Sequence, residues 1–179
     1  SIGFISYLTF TAIYIAGEVI DMQIGFGIVN VIDPASNIQI PVTSNLYFII
    51  SMLLLFAIKG HHMIIKALFD SFSSLPLGEA SFDAGLADGL INVFSTMFAT
   101  GIRIAAPMVA AILLADIALG VVSKMVPQMN IFVIGMPLKI LLGFVILVIT
   151  LPLFISVMEE VFGESGANMI NYVKELGQQ

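Results

Sequence analysis

The strongest constraint on this chain is its long uncharged apolar runs. Residues 140–158 carry no charged side chain, and about 20 apolar residues suffice for a helix to cross a bilayer. Only 10% of all 179 residues are charged, whereas about one-quarter are charged in a typical soluble domain. Because so few charges cannot cover a water-facing surface, the sequence predicts a membrane or membrane-complex protein.

Composition also excludes several other classes. A net charge of -6 without a basic cluster argues against nucleic-acid binding, and 59% hydrophobic residues argue against disorder. The absence of cysteine rules out a disulfide framework or a thiolate metal site. The sequence contains no nucleophile elbow, phosphate-binding P-loop or HExxH zinc motif. We therefore expect a non-enzymatic protein without a cofactor or metal.

The apolar pattern predicts an all-α fold of membrane-associated hairpins with kinked or broken helices and one irregular loop. Four helical blocks are expected, at residues 1–23, 44–72, 84–125 and 132–162. Proline removes a helical hydrogen bond, so we expect kinks or breaks at Pro107, Pro137 and Pro152. A short amphipathic helix is predicted at 168–176, after a turn at 163–166.

The first residues of the sequence bear on whether the chain is part of a longer one. It begins at Ser1 with an apolar run and has no basic leader or small-residue cleavage pattern. We expect residues 1–179 to form one helical domain that is the C-terminal part of a longer chain.

Residues 24–41 form the predicted irregular loop. Gly25 and Gly27 flank the bulky Phe26, and Asp33-Pro34 is typical of a turn. Irregular backbone at membrane depth is tolerated only where it is buried or lines a cavity, which favours a plug or constriction. Just before the loop, Glu18 and Asp21 share one helix face. They either face water at a helix end or line a conduit.

Two further groups of polar residues interrupt the apolar runs. Lys59, His62, Lys66 and Asp70 would form one helical stripe, either as a polar helix end at the membrane interface or as a contact between subunits. Asp116 is a lone acid in apolar surroundings. It favours an ion pair with Arg103, Lys124 or Lys139, or else a proton relay.

Three segments of the chain, taken in order, resemble the FliR family of flagellar export proteins, which includes the SpaR and YscT proteins of virulence type III secretion. The segments are GEVIDMQIGFGIVNVIDPASNIQIPV, FAIKGHHMIIKALFDSFSSLPLG and APMVAAILLADIALGVVSKMVPQMNIFVIGMPLKILLGFVILVITLPL. Together they cover residues from about 17 to 153. The Gly-His-His and Pro-Gln-Met-Asn elements make the resemblance specific. The family's N-terminal third has no counterpart here.

The resemblance implies a subunit of the flagellar export gate in the bacterial inner membrane, at the basal body. In that family the protein joins FliP-like and FliQ-like subunits in a closed cone, with an FlhB-like protein on its cytoplasmic side. Unfolded flagellar proteins pass through the centre, and membrane lipid surrounds part of the complex. Energy is supplied elsewhere, so this subunit need not be an enzyme.

The family places its plug at the stretch matched by residues 24–40 of this chain, and apolar side chains in a narrow channel exclude water and ions. The loop residues expected to act there are Gly25, Phe26, Gly27, Ile28, Val29, Ile32, Asp33 and Pro34. The polar residues expected to be buried or pore-lining are Glu18, Asp21, Lys59, His62, Lys66, Asp70, Arg103, Asp116, Lys124 and Lys139.

Two alternatives remain open from the sequence. One is a secondary transporter or ion channel subunit with Arg103, Asp116 and Lys139 on its permeation path, although no internal repeat supports it. The other is a scaffold whose loop never moves.

Overall fold

Five helices make up the part of the chain that the computed structural model describes, namely residues 2–26, 41–74, 84–125 and 131–177. They are α1 (Ile2–Ile24), α2 (Val42–Ala57), α3 (Gly60–Ser74), α4 (Ala84–Met125) and α5 (Ile131–Gly177). No strand occurs within these ranges. The predicted all-α fold is confirmed, and the four predicted apolar blocks correspond to α1, to α2 with α3, to α4 and to α5.

Helix α1 is the centre of the bundle and packs against each of the other four helices. Ile13, Ala16, Ile20 and Ile24 follow one another at helical spacing, and each is almost completely buried. Their neighbours in the main core come from all the longer helices: Tyr47, Leu55, Ile104, Ala105, Met108, Ile112, Leu147, Phe154, Val157, Met158 and Phe162. The core therefore depends on one apolar stripe of α1.

Backbone contact joins α1 to α2. A Cβ atom added to Gly17 would collide with the Ser44 backbone, so only glycine fits here. The Ser44 hydroxyl donates a hydrogen bond of 3.0 Å to the Tyr14 carbonyl oxygen. Small residues let two helix backbones approach closely and bond to each other, as is common in membrane bundles.

In the described part of the chain, a sharp break lies between α2 and α3, and it is not at a proline. The directions of these two helices differ by 72°. Lys59, which lies between them, has a φ of 59° in the left-handed region. A Cβ atom on Gly60 would lie 2.7 Å from Leu55 Cδ1, so glycine lets α3 begin directly against the end of α2.

The prolines do not divide the long helices. Helix α4 continues through Pro107, and α5 continues through Pro137 and Pro152. Apolar helices tolerate proline when neighbouring groups compensate for the lost backbone bond.

Helix α5 also continues through residues 163–166, where the sequence predicted a turn. It ends at Gly177, so residues 168–176 prolong α5 and do not form a separate helix. A Cβ atom on Gly166 would collide with the Met63 side chain of α3. The glycine therefore allows close packing of α3 on α5, and its cost of about 1 kcal/mol in helix propensity does not end the helix.

Within the described residues, three helices are long and apolar enough to cross a membrane: Gly3–Ile24, Ile91–Met125 and Val133–Glu164. The bent pair Val42–Ala57 and Gly60–Phe72 passes the same test when its two parts are taken together. Most of the α4 and α5 surface within these segments is not covered by the bundle.

The contact at Gly17 predicts opposite effects for two glycine substitutions. Gly17→Ala should lower the free energy of unfolding by about 1–3 kcal/mol, because its methyl group meets backbone that cannot move aside. Gly120→Ala is the matched control, since nothing lies within 4 Å of its Cβ position, and it should raise stability by about 0.5–1 kcal/mol. Circular dichroism during denaturation in detergent micelles measures both. Equal effects would show that α1 and α2 are not in backbone contact.

Candidate functional site

The predicted loop begins at a well-defined helix end. Gly25 follows α1 with a φ of 97°, and its N–H donates a hydrogen bond of 3.1 Å to the Asp21 carbonyl oxygen. Such a glycine is the usual way for a helix to terminate. The next residue, Phe26, is half-buried, and its ring packs edge-on against Phe144 of α5 with ring centroids 5.7 Å apart.

The loop ends where α2 begins. There the Asp21 carboxylate accepts hydrogen bonds from the start of that helix. Its two oxygens accept hydrogen bonds from the Thr43 backbone N–H at 3.0 and 3.1 Å, and Asp21 is only 6% exposed. The first N–H groups of a helix have no partner within the helix. Because Pro41, at the N-cap position, has no capping side chain, Asp21 of α1 caps α2 from outside, and the helix dipole favours its negative charge.

A third contact fixes the end of α1 against α5. A Cβ atom on Gly143 would lie 2.8–3.0 Å from three side-chain carbons of Ile24. The missing side chain of this glycine in α5 therefore leaves room for the buried Ile24. We define the loop base as Asp21, Ile24, Thr43, Ser44 and Gly143. It holds both ends of the predicted loop at one place on the bundle.

The two acids that the sequence analysis placed on one helix face have different surroundings. Asp21 belongs to the loop base, whereas Glu18, one turn earlier, is half-exposed. The remaining predicted loop residues Gly27, Ile28, Val29, Ile32, Asp33 and Pro34 lie outside the described residues.

Asp116 forms an ion pair with Lys139, one of the three basic residues considered from the sequence. Its Oδ2 atom lies 2.8 Å from Lys139 Nζ, in an ion pair between α4 and α5. A second pair, at 3.0 Å, joins Arg103 to Glu160. Sequence reasoning missed this pair, because 57 residues separate its members and no local pattern connects them. Arg103, Asp116 and Lys139 are thus each compensated by an opposite charge.

The predicted stripe from Lys59 to Asp70 is only partly present. Lys59 lies in the bend before α3, so its backbone does not continue the helix. His62 and Lys66 are exposed, and Asp70 is half-buried. No ion pair joins Lys66 to Asp70 in the described part of the chain. Lys124, near the end of α4, is also exposed.

Helices of this length and apolar character, joined by two interhelical ion pairs, are typical of a membrane protein. Comparison with known sequences specifies it further, because the family of bacterial export proteins, family 1, matches residues 1–165. The chain belongs to this family, and within it to the FliR proteins.

Three relatives illustrate the relationship. The flagellar biosynthetic protein FliR of Bacillus subtilis is 34% identical over 98% of this chain, which spans 69% of that relative. FliR of Escherichia coli is 31% identical over 98% of the chain and 67% of its own length. The Yop proteins translocation protein T of Yersinia pestis is 30% identical over 83% of the chain and 58% of its own length.

The loop base gives a prediction for two neighbouring acids. Asp21→Ala should destabilise the start of α2 by about 1–3 kcal/mol, because a buried N–H loses its charged acceptor. Asp21→Asn keeps one acceptor oxygen and should have an intermediate effect. Hydrogen exchange at the Thr43 amide measures the change directly. Glu18→Ala removes the same charge one turn away and should change stability by less than about 0.5 kcal/mol. If both alanine variants exchange alike, Asp21 does not cap α2.

Proposed function

We propose that this chain is a non-enzymatic subunit of the flagellar type III protein export gate in the bacterial inner membrane. It helps to form and seal the channel through which unfolded flagellar proteins pass. Membership of the FliR proteins supports the assignment to flagellar export. The observation that carries the sealing role is the loop base, which ties both ends of residues 25–40 to the bundle.

A tied loop suits a seal for a physical reason. A loop whose two ends are fixed at one place on the bundle keeps its apolar side chains near that place. Phe26, Ile28, Val29 and Ile32 are apolar, and apolar groups that meet in a narrow channel exclude water and ions by dewetting. In this proposal Gly25, with its positive φ, ends α1 and turns the chain into the loop.

The exposed apolar surface of the bundle fits a subunit of a larger complex. The second half of α4 and the first half of α5 expose many large side chains: Leu113, Leu114, Ile117, Val121, Val122, Met125, Val133, Ile134, Leu138 and Leu141. The Asp116–Lys139 pair lies in the same region and is still partly exposed. A charge at bilayer depth costs about 2.5–3.5 kcal/mol or more, which favours cover by protein at the pair. FliP-like, FliQ-like and FlhB-like proteins are the proposed partners, with lipid around the rest.

The assembly can be tested directly. The full-length protein, co-expressed with FliP-like and FliQ-like subunits, should purify as one complex in native mass spectrometry. Binding should bury the apolar surface of α4 and α5, so Leu114→Glu, on that surface and 68% exposed, should abolish assembly. A protein that stays monomeric, or assembles only with itself, would contradict the proposed role and favour a transporter.

The sealing role has its own test. Phe26→Ala, or deletion of residues 25–33, should make the closed complex leak ions in planar bilayers, because the apolar constriction is lost. Phe94→Ala is a suitable control, since Phe94 is a half-exposed phenylalanine of α4 remote from the loop in sequence. Unchanged conductance of a fully assembled loop-deletion complex would show that this loop does not seal the channel.

A further inference from the structure

Phe144 of α5 lies beside Phe26, the last described residue before the rest of the predicted loop. The two rings meet edge-on, with 67° between the ring planes and 5.7 Å between the ring centroids. Aromatic pairs favour this geometry, because the positive edge of one ring faces the negative face of the other. Such a pair shifts an equilibrium by about two- to tenfold beyond the effect of the area that it buries. The contact is therefore directional as well as apolar.

Phe144 does not belong to the core of the bundle. It is 48% exposed, whereas Gly143 and Leu147 on the same helix are buried. Gly143 leaves room for Ile24, the last residue of α1, and Leu147 is part of the main core. These two neighbours, not Phe144, pack into the bundle here. Among the described residues, the ring contact that Phe144 makes is the one with Phe26.

The chain reaches Phe26 through a turn that one backbone hydrogen bond holds. Gly25, with its φ of 97°, donates its N–H to the Asp21 carbonyl oxygen, which is the simpler of the usual helix endings. Within the described residues, nothing lies within 4 Å of the Cβ position of Gly25. The position of the next residue therefore depends on the contacts of Phe26 itself, which packs against the main core and against Phe144.

We propose that Phe144 is a positioning residue for Phe26 and holds this first apolar side chain of the loop in the closed state of the gate. The proposal rests on the sealing role proposed above. Phe144 stands on a continuous helix, within the uncharged run at residues 140–158, so it offers a fixed apolar surface. Phe26 stands beyond the end of α1. Opening of the gate then requires the two rings to separate, and the pair favours the closed state.

Hydrogen exchange tests the contact in the full-length protein in detergent micelles, without the channel. Phe144→Ala should lower the protection of the Gly25 amide by about two- to tenfold, because the turn after α1 loses the contact that holds its next residue. The Thr43 amide is bonded to the Asp21 carboxylate. It should keep its protection, since Phe144 is not part of the loop base.

Phe98→Ala is the matched control for this experiment. Phe98 is 45% exposed and pairs with Phe94 of its own helix at a centroid distance of 5.2 Å, so its loss should change neither amide. Wild-type protection of Gly25 in Phe144→Ala would show that the ring does not hold the start of the loop. A parallel loss at Gly25 and Thr43 would show that Phe144 supports the fold in general. Either result would overturn the proposal.

Conductance of the assembled complex in planar bilayers tests the consequence for the seal. Phe144→Ala should raise the leak of ions by about two- to tenfold, and Phe144→Leu, which keeps part of the apolar contact, should raise it less. The double variant Phe26→Ala/Phe144→Ala should leak no more than Phe26→Ala, because Phe144 acts through the ring of Phe26. Additive leaks in the double variant would contradict a positioning role.

The same measurement separates failure of this proposal from failure of the sealing role. A tight Phe144→Ala complex beside a leaking Phe26→Ala complex would overturn the role of Phe144 and leave the sealing role of the loop intact. Complexes that stay tight in both variants would contradict the sealing role itself, and the role of Phe144 with it.

Discussion

The hydrogen bonds from the Thr43 N–H to the Asp21 carboxylate determine how α2 is positioned on α1. A buried charge is costly unless it is hydrogen-bonded, and the start of a helix needs an acceptor. Each group satisfies the other across 22 residues of sequence. The contact of Gly17 with Ser44 brings the two backbones close enough for this bond. Helix α2 is thereby fixed on α1, and the residues on either side of the loop are held close together.

Charges within the long apolar helices also have partners, although these are only partly buried. Arg103 pairs with Glu160, and Asp116 pairs with Lys139. A charge in such surroundings is tolerated when its partner comes from a neighbouring helix. These two pairs compensate four of the charges that interrupt the apolar surface of α4 and α5.

Much of the fold could be predicted from sequence, because helix boundaries in apolar chains follow the hydrophobic runs. Residues 84–125 were expected as one block and form α4. The break at Lys59 was not predicted, since nothing in the sequence marks a lysine for a positive φ. The role of Asp21 was also out of reach, because its partner is a backbone N–H, which has no sequence signature. Glu18 beside it made a water-facing helix end equally reasonable. The resemblance to a known family located the loop, whereas only the structure shows what holds its ends.

Helix α1 connects the loop base with the opposite end of the bundle. Ile5, near its start, packs at the level of α3, and Asp21, near its end, belongs to the loop base. The 23 residues of α1 rise by about 35 Å, roughly the thickness of the hydrocarbon layer. A buried helix stripe transmits displacement with little loss, because close-packed interiors are hardly compressible. Any change that displaces α1 therefore also moves the part of α3 that packs on Ile5.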